Sequence, residues 1–225
     1  IIDKCAEEPE RIDLINYLKK LGVKIKIKDR KITIERSIKV KKISHKIICD
    51  RIELGTYLIG GALIAKKLKL KNIDPNLIKK EIIILKRMGV KMNISKNYIE
   101  IYKSKNIKNV NIKTDPYPGF PTDLQAQIMI LMTQAKGLSK IKESIFENRF
   151  MHVPELKRMG AKIKIKNGYI FASANKGLKG TKFKFPSISV GATENTILAA
   201  VHARGVTIID NCAIEPEIID LINFL

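Results

Sequence analysis

Residues 1–18 read IIDKCAEEPERIDLINYL, and residues 208–225 read IIDNCAIEPEIIDLINFL. The two stretches differ only at Lys4/Asn211, Glu7/Ile214, Arg11/Ile218 and Tyr17/Phe224, so fourteen of eighteen positions are identical. Their offset is 207 residues, three times 69. Between them, Lys20-Leu21-Gly22 is echoed by Arg87-Met88-Gly89 and then by Arg158-Met159-Gly160, at steps of 67 and 71. Self-similarity at a fixed spacing marks a chain built from repeated units, and it sets the architecture before any local signal is weighed.

Each unit follows one order. It opens with a small-residue helix, expected at Asp50–Lys67, Pro121–Lys136 and Val190–Arg204; these stretches are apolar on most faces and read as buried. A short β-rich run follows at Leu68–Ile73, Leu138–Ile145 and Val206–Asp210. A second, amphipathic helix comes next, at Pro75–Met88, Arg149–Met159 and Glu215–Leu225, with a twin at Glu8–Leu21. Gly22, Gly89 and Gly160 stand just past its end, where a C-cap glycine belongs. Two strands then alternate apolar and charged residues, as in Lys24–Lys28 and Lys31–Glu35, the period of two of a half-exposed strand. The pattern is βαβαββ-like and the fold class is α/β (α+β), with right-handed crossovers. The units divide as 1–49, 50–120, 121–172 and 173–225.

The 225 residues suffice for one or two domains with a sizeable core. Lys+Arg number 43 against 22 Asp+Glu, a formal net charge of +21, which brings nucleic acid into consideration. The lysines, however, lie at alternating strand positions and on helix surfaces along the whole chain, with no concentrated arm, and aromatic residues make up 6%. The charge reads as solvated surface that also attracts a small anionic substrate, with no specific nucleic-acid partner. No apolar run approaches the roughly 20 residues that span a bilayer, and the start lacks a secretory signal. The expected location is cytoplasmic, with no membrane partner. Cys5, Cys49 and Cys212 lack metal-ligand spacing and read as small core residues, so no metal site is expected. His45, His152 and His202 receive no catalytic role, and His45 and His202 show no partner in the sequence.

The stretch Asp115–Gly160 contains PGFPTDLQAQ at Pro118–Gln127 and FENRFMHVPELKRM at Phe146–Met159. Both are long and unusual in composition. With SVGATEN at Ser189–Asn195, EPEIIDLINFL at Glu215–Leu225 and DRIELGT at Asp50–Thr56, they closely resemble bacterial UDP-N-acetylglucosamine 1-carboxyvinyltransferase. The resemblance covers nearly the whole chain. It implies an enolpyruvyl-transferase-like fold of tandem βαβαββ units around a pseudo-threefold axis, with the active site in a cleft between two domains. It also implies transfer of the enolpyruvyl group of phosphoenolpyruvate to the 3′-hydroxyl of UDP-N-acetylglucosamine, the first committed step of peptidoglycan synthesis, without metal or organic cofactor.

Such an addition needs a base near the sugar hydroxyl and an acid near the methylene carbon. Asp123 follows Pro121-Thr122 at a helix start, where the positive end of the dipole favours a carboxylate. From spacing alone it reads as a helix cap; the resemblance implies that it takes the sugar's proton. Ser187, Ile188, Ser189 and Val190 precede Gly191 at another helix start, where backbone N–H groups can approach an anion. Alone they read as a plain cap; the resemblance assigns them to the nucleotide sugar. Arg149 has the planar fork that suits a phosphate or carboxylate, or a surface pair with Glu147. Ile145 is expected to line the uracil or sugar pocket. Glu8, Glu10, Glu215 and Glu217 read as ordinary acidic residues at helix starts.

The chain departs from the family in three ways. The G-x-K-N segment that grips phosphoenolpyruvate, the glycine-rich loop carrying a proton-donor cysteine, and the arginine-bearing C-terminal unit are not found. The unit order differs as well: SVGATEN follows FENRFMH, with the joint near Gly160–Ala172. The chain therefore reads as a rearranged or partial transferase, with 1–49 and 173–225 matching the family's first domain and 50–120 and 121–172 its second. The duplicated ends would compete for one place in a three-unit ring, leaving one copy exposed, disordered or swapped into a neighbouring chain. Two other readings stand beside the transferase. One is a non-catalytic UDP-sugar-binding fragment; the other is an RNA-binding or RNA 3′-phosphate cyclase-like protein, which the two long motifs disfavour.

Overall fold

The alternation Lys-Ile-Lys-Ile-Lys occurs at 24–28 and again at 162–166, and both runs fold as strands that bury one isoleucine, Ile25 and Ile163, and turn their lysines outward. A computed structural model describes residues 1–36, 41–147, 149–166 and 169–225. The first segment holds α1 (Pro9–Lys20), β1 (Lys24–Lys28) and β2 (Lys31–Glu35). The next holds α2 (Arg51–Ile64), β3 (Leu68–Lys71), α3 (Lys79–Arg87, preceded by a 3-10 turn), β4 (Lys91–Ile94) and β5 (Tyr98–Tyr102). Then come β6 (Asn111–Lys113), a 3-10 helix at Thr122–Leu124 that leads into α4 (Gln125–Thr133), β7 (Ser139–Lys142), α5 (Val153–Arg158), β8 (Lys162–Lys166) and β9 (Tyr169–Ser173). Last are β10 (Lys182–Lys184), α6 (Val190–Ala200), β11 (Ile208–Asp210) and α7 (Pro216–Phe224).

The run from β6 to β9 is a whole βαβαββ unit. Its sheet has the order β6-β7-β9-β8, with β6 and β7 parallel and the other pairs antiparallel. The same middle-strand pattern returns in β3-β5-β4, and in β1-β2 with Ile2 bridging to Ile32. The parallel pair returns as β10-β11. Gly22, Gly89 and Gly160 all have positive φ just past α1, α3 and α5, as the C-cap reading requires.

The three small-residue helices gather in the main core. α4 packs against both α2 and α6. Past the glutamines of its first turn it is apolar on every face, and Ile128 through Met132 are at most 1% exposed. A helix of that kind is stable only inside a protein, and each fully buried leucine or isoleucine contributes about 1.5–3 kcal/mol. At Gly55 of α2, an added Cβ would lie 2.3 Å from the Leu124 tip, so the small residue permits the close approach of α2 to the start of α4. Cys5, Ile15, Ile25 and Ile32 form a separate small cluster, so α1 and its hairpin carry a core of their own. α7, by contrast, adds Leu221, Phe224 and Leu225 to the main core. Among the described residues, no helix is long and apolar enough to cross a membrane.

One helix is shorter than the sequence predicts. The expected Arg149–Met159 helix begins only at Val153, with Pro154 in its first turn. Proline suits that position because the first-turn N–H groups have no intrahelical acceptor. Residues 149–152 stay outside the helix, and Arg149 is left free to reach across to another element.

Candidate active site

Asp123 sits in the 3-10 turn ahead of α4, at the end of the Pro/Gly-rich stretch 115–121. That stretch is tightly folded: the Tyr117–Pro118 peptide is cis, and a Cβ at Gly119 would lie 2.4 Å from the Asp115 Cβ and 2.8 Å from two backbone oxygens. Only glycine fits there. The helix start has Pro121 at its N-cap and no side-chain cap. The capping reading of Asp123 is thus corrected. Its carboxylate instead meets Arg149, with Nη1 at 2.6 Å from Oδ1. The same nitrogen donates to Thr122 Oγ1 at 3.3 Å, and the guanidinium lies 5.3 Å from the Phe146 ring centre. Arg149 pairs across the site with Asp123 rather than with its sequence neighbour Glu147.

Ser189 caps α6, its Oγ accepting from Ala192 N at 3.2 Å. It stands across the same cleft, whose volume is about 440 Å³ and whose wall includes Thr122, Asp123, Arg149, Ser189, Gly191 and Ala192. Nothing would obstruct a Cβ at Gly191 within 4 Å, so the backbone at this helix start is open to a ligand. Asp123, Arg149 and Ser189 thus line one cleft. Ser187, Ile188, Val190 and Ile145 are not part of this wall. Ile188 is 63% exposed, and Ile145 points only its backbone N–H at a local partner, Glu143.

The cleft also contains residues that received no role from the sequence. His152, Gln125, Gln127 and Asn195 line it, all buried. Among the described residues, His152 Nε2, Gln125 Nε2, Gln127 Oε1 and Asn195 Oδ1 have no hydrogen-bond partner. Buried polar atoms are nearly always paired, so four unpaired ones on one wall mark a surface suited to a polar ligand. Sequence signals were present: PTDLQAQ puts two glutamines into an otherwise apolar helix, and His152 and Asn195 stand within FENRFMHVPELKRM and SVGATEN. Burial, and next the charge of Arg149, push the His152 imidazole down to about 4, so it is neutral near pH 7. His45, which had no visible partner in the sequence, lies 3.1 Å from Asp13 Oδ1 and 3.3 Å from Lys20 Nζ, and plays no part in the cleft. Among the described residues, no group of three or more His, Cys, Asp or Glu is placed to hold a metal ion.

A tandem βαβαββ framework with an acid–arginine pair facing a capped helix start defines a class, and comparison with known proteins gives the same one. The family model of EPSP synthase (3-phosphoshikimate 1-carboxyvinyltransferase) matches residues 1–184 and, in a second match, residues 159–225, so the chain belongs to that family of enolpyruvyl transferases. The two matches overlap at 159–184, around the joint read from the sequence at Gly160–Ala172.

Within the family, the chain is similar to UDP-N-acetylglucosamine 1-carboxyvinyltransferases. It is 48% identical over 210 residues to that of Pelagibacter ubique, covering 93% of this chain and 50% of the relative. It is 43% identical over 212 residues to that of Halothermothrix orenii, covering 94% and 50%. The chain spans about half the length of the curated relatives it matches. Among solved structures, the enolpyruvyl transferase NikO from Streptomyces tendae superposes with a TM-score of 0.80 at 23% identity, covering 93% of this chain and 50% of that one. EPSP synthase from Acinetobacter baumannii gives 0.71 at 19% identity, covering 91% and 51%. These two likenesses establish the enolpyruvyl-transferase fold.

Proposed function

We propose that the protein is a cytoplasmic enolpyruvyl transferase that joins phosphoenolpyruvate to the 3′-hydroxyl of UDP-N-acetylglucosamine, the opening step of peptidoglycan synthesis. One observation carries the reading: Asp123, Arg149 and the α6 start, from three distant stretches of chain, face one another across a single cleft of about 440 Å³. In this scheme Asp123 accepts the hydroxyl proton as the sugar oxygen attacks C2 of phosphoenolpyruvate, and a proton is added to C3. Loss of phosphate from C2 and of a proton from C3 then leaves the enol ether. Arg149 offers its fork to the phosphate or carboxylate of the donor. An anion that draws Arg149 away from Asp123 also frees that carboxylate to take the proton. Ser189 of the cleft wall is assigned to the nucleotide sugar, together with Ser187, Ile188, Val190 and Ile145, which flank that wall in sequence and rest on the resemblance.

A second reading, a UDP-sugar-binding fragment without turnover, is favoured by the position of the cysteines. Cys5 is buried in the N-terminal cluster, and neither Cys49 nor Cys212 borders the cleft, so no thiol stands ready to protonate C3. Loss of one general acid costs about 10²–10⁴ in rate. These 225 residues are therefore expected to bind UDP-N-acetylglucosamine in a calorimetric titration and to release no phosphate on addition of phosphoenolpyruvate. A full-length parent is expected to turn over and to lose that turnover with Asp123→Asn. Because Asp123 caps nothing and its pair with Arg149 is about half exposed, this variant is expected to keep its fold. Turnover that survives it, or a chain that binds neither compound, would sink the assignment.

A further inference from the structure

We propose that Glu143 is a positioning residue that sets the Arg149–Asp123 pair by way of Thr122 and Phe146; the functional weight of this rests on the reading of Asp123 and Arg149 given above. Glu143 follows the last residue of β7 and is 8% exposed. Its Oε1 accepts from Thr114 Oγ1 at 2.8 Å, Ile145 N at 2.8 Å and Phe146 N at 3.2 Å. Its Oε2 accepts from Thr122 Oγ1 at 3.0 Å. All four partners are donors and none is a cation. Thr114 is further tied to this turn because its hydroxyl accepts from Ser144 N at 2.9 Å.

The two oxygens have different jobs. Oε1 folds the 143–146 turn, which is an ordinary structural role. Oε2 takes the single proton of the Thr122 hydroxyl. That leaves the Thr122 oxygen as an acceptor only, aimed at Arg149 Nη1 at 3.3 Å. The donor direction runs Arg149 to Thr122 to Glu143. A hydroxyl that already donates to a carboxylate accepts more strongly, by about 10–30% per bond in such chains. The other neighbour of the guanidinium, the Phe146 ring, belongs to the residue whose backbone N–H is held by Oε1. One buried carboxylate thus places two of the described contacts of Arg149, Thr122 and Phe146, and so bears on where its Nη1 meets Asp123.

Glu143→Gln separates the two jobs. The amide oxygen can still serve the three donors at Oε1, but an NH₂ replaces Oε2 and cannot accept the Thr122 proton. Thr122→Val removes the relay, and Thr122→Ser restores it. The first readout is the Arg149 guanidinium Nη–H resonances of the unliganded chain, recorded with a melting curve. They should be distinct in the parent and in Thr122→Ser, and averaged by free rotation in Glu143→Gln and Thr122→Val, with cooperative unfolding retained. The second readout is phosphoenolpyruvate affinity with UDP-N-acetylglucosamine present. It should fall about tenfold in each single variant and no further in the double, because the two residues act in one chain. Unchanged Arg149 resonances in Glu143→Gln would overturn the proposal, as would affinity losses that add in the double variant. Resonances that change as expected in a parent that binds neither compound would uphold the positioning and overturn the transferase reading instead.

Discussion

In α1, Ile15 is 5% exposed and Leu14 is 56% exposed; in α7 the matching Ile222 is 51% exposed and Leu221 is 3% exposed. Two helices of nearly one sequence bury different faces. α1 lays Ile15 on its own hairpin, beside Ile25 and Ile32. α7 turns Leu221 and Phe224 to α6 and α2, where the Phe224 ring meets that of Tyr57 edge-on at 4.8 Å. The difference teaches that the motif has two apolar faces. Hydrophobic burial has no direction of its own, so the neighbours at hand decide which face is covered.

The largest test of this contrast is a pair of truncations. Leu221→Ala should cost about 2–5 kcal/mol in urea unfolding, and Leu14→Ala no more than about 0.5 kcal/mol. Equal costs would mean that the two helices share one environment. Hydrogen exchange should add that Ile15→Ala opens residues 1–36 while α4 keeps its protection, since the two clusters are separate.

Next in size is a pH effect beside α1. Burial raises the Glu81 carboxyl to about 7, against a smaller lowering by the Arg51 charge and a further raise from Glu10. The protonated form fits the folded state, so this stabilisation is complete below pH 4.5 and is lost as pH rises through about 7. The gap, at about 1.4 kcal/mol per pH unit, sets a ceiling of roughly 3 kcal/mol. Relative to the parent, Glu81→Gln should gain stability between these limits. His152 runs the other way over much of this window, because a base pushed down to about 4 destabilises the fold as pH falls. Only the difference between variant and parent isolates Glu81, and a difference independent of pH would refute its burial as a neutral acid.

A smaller effect separates two matched glutamates. Glu10 of α1 receives Arg51 Nε at 2.8 Å, and Arg51 is 8% exposed. Glu217, its twin in α7, faces instead Glu194, whose carboxyl is raised first by burial and then by Glu217. Glu10→Gln should cost about 1 kcal/mol, well under the figure for a fully buried pair because the Glu10 side chain is 46% exposed. Glu217→Gln should be neutral or slightly stabilising. A larger loss at Glu217 would show that the two copies use this position alike.

The smallest expected effect concerns charge. Lys24 and Lys26 of the α1 hairpin share Glu35 at 4.0 and 3.8 Å and are well exposed. Oligonucleotide binding to such a surface should be weak, unselective and gone by about 200 mM salt. Filter binding that stayed tight and sequence-selective there would restore the RNA reading.

Much of the architecture was legible in residue order. Strand alternation, C-cap glycines and apolar helices are local patterns, and a 67–71 residue step exposes the repeated unit. The site was legible only in part. Asp123 and Ser189 were singled out by resemblance and Arg149 by its planar fork, and the three line one cleft. The short α5, the pairing of Arg149 with Asp123 rather than Glu147, and the role of Glu143 did not come through, because each depends on which distant groups arrive beside it.

By itself, the sequence determined the repeated pattern and the family, since periodicity and long motifs survive whatever the chain packs against. Tertiary structure alone decided that the second copy of the duplicated segment joins the main core while the first keeps a cluster of its own. It alone decided that Glu143 reaches Thr122 across 21 residues and that Thr122 meets Arg149 across 27. Apolar burial follows whatever surface is nearest, whereas a hydrogen bond needs its partner at about 3 Å, and neither distance is written in residue order.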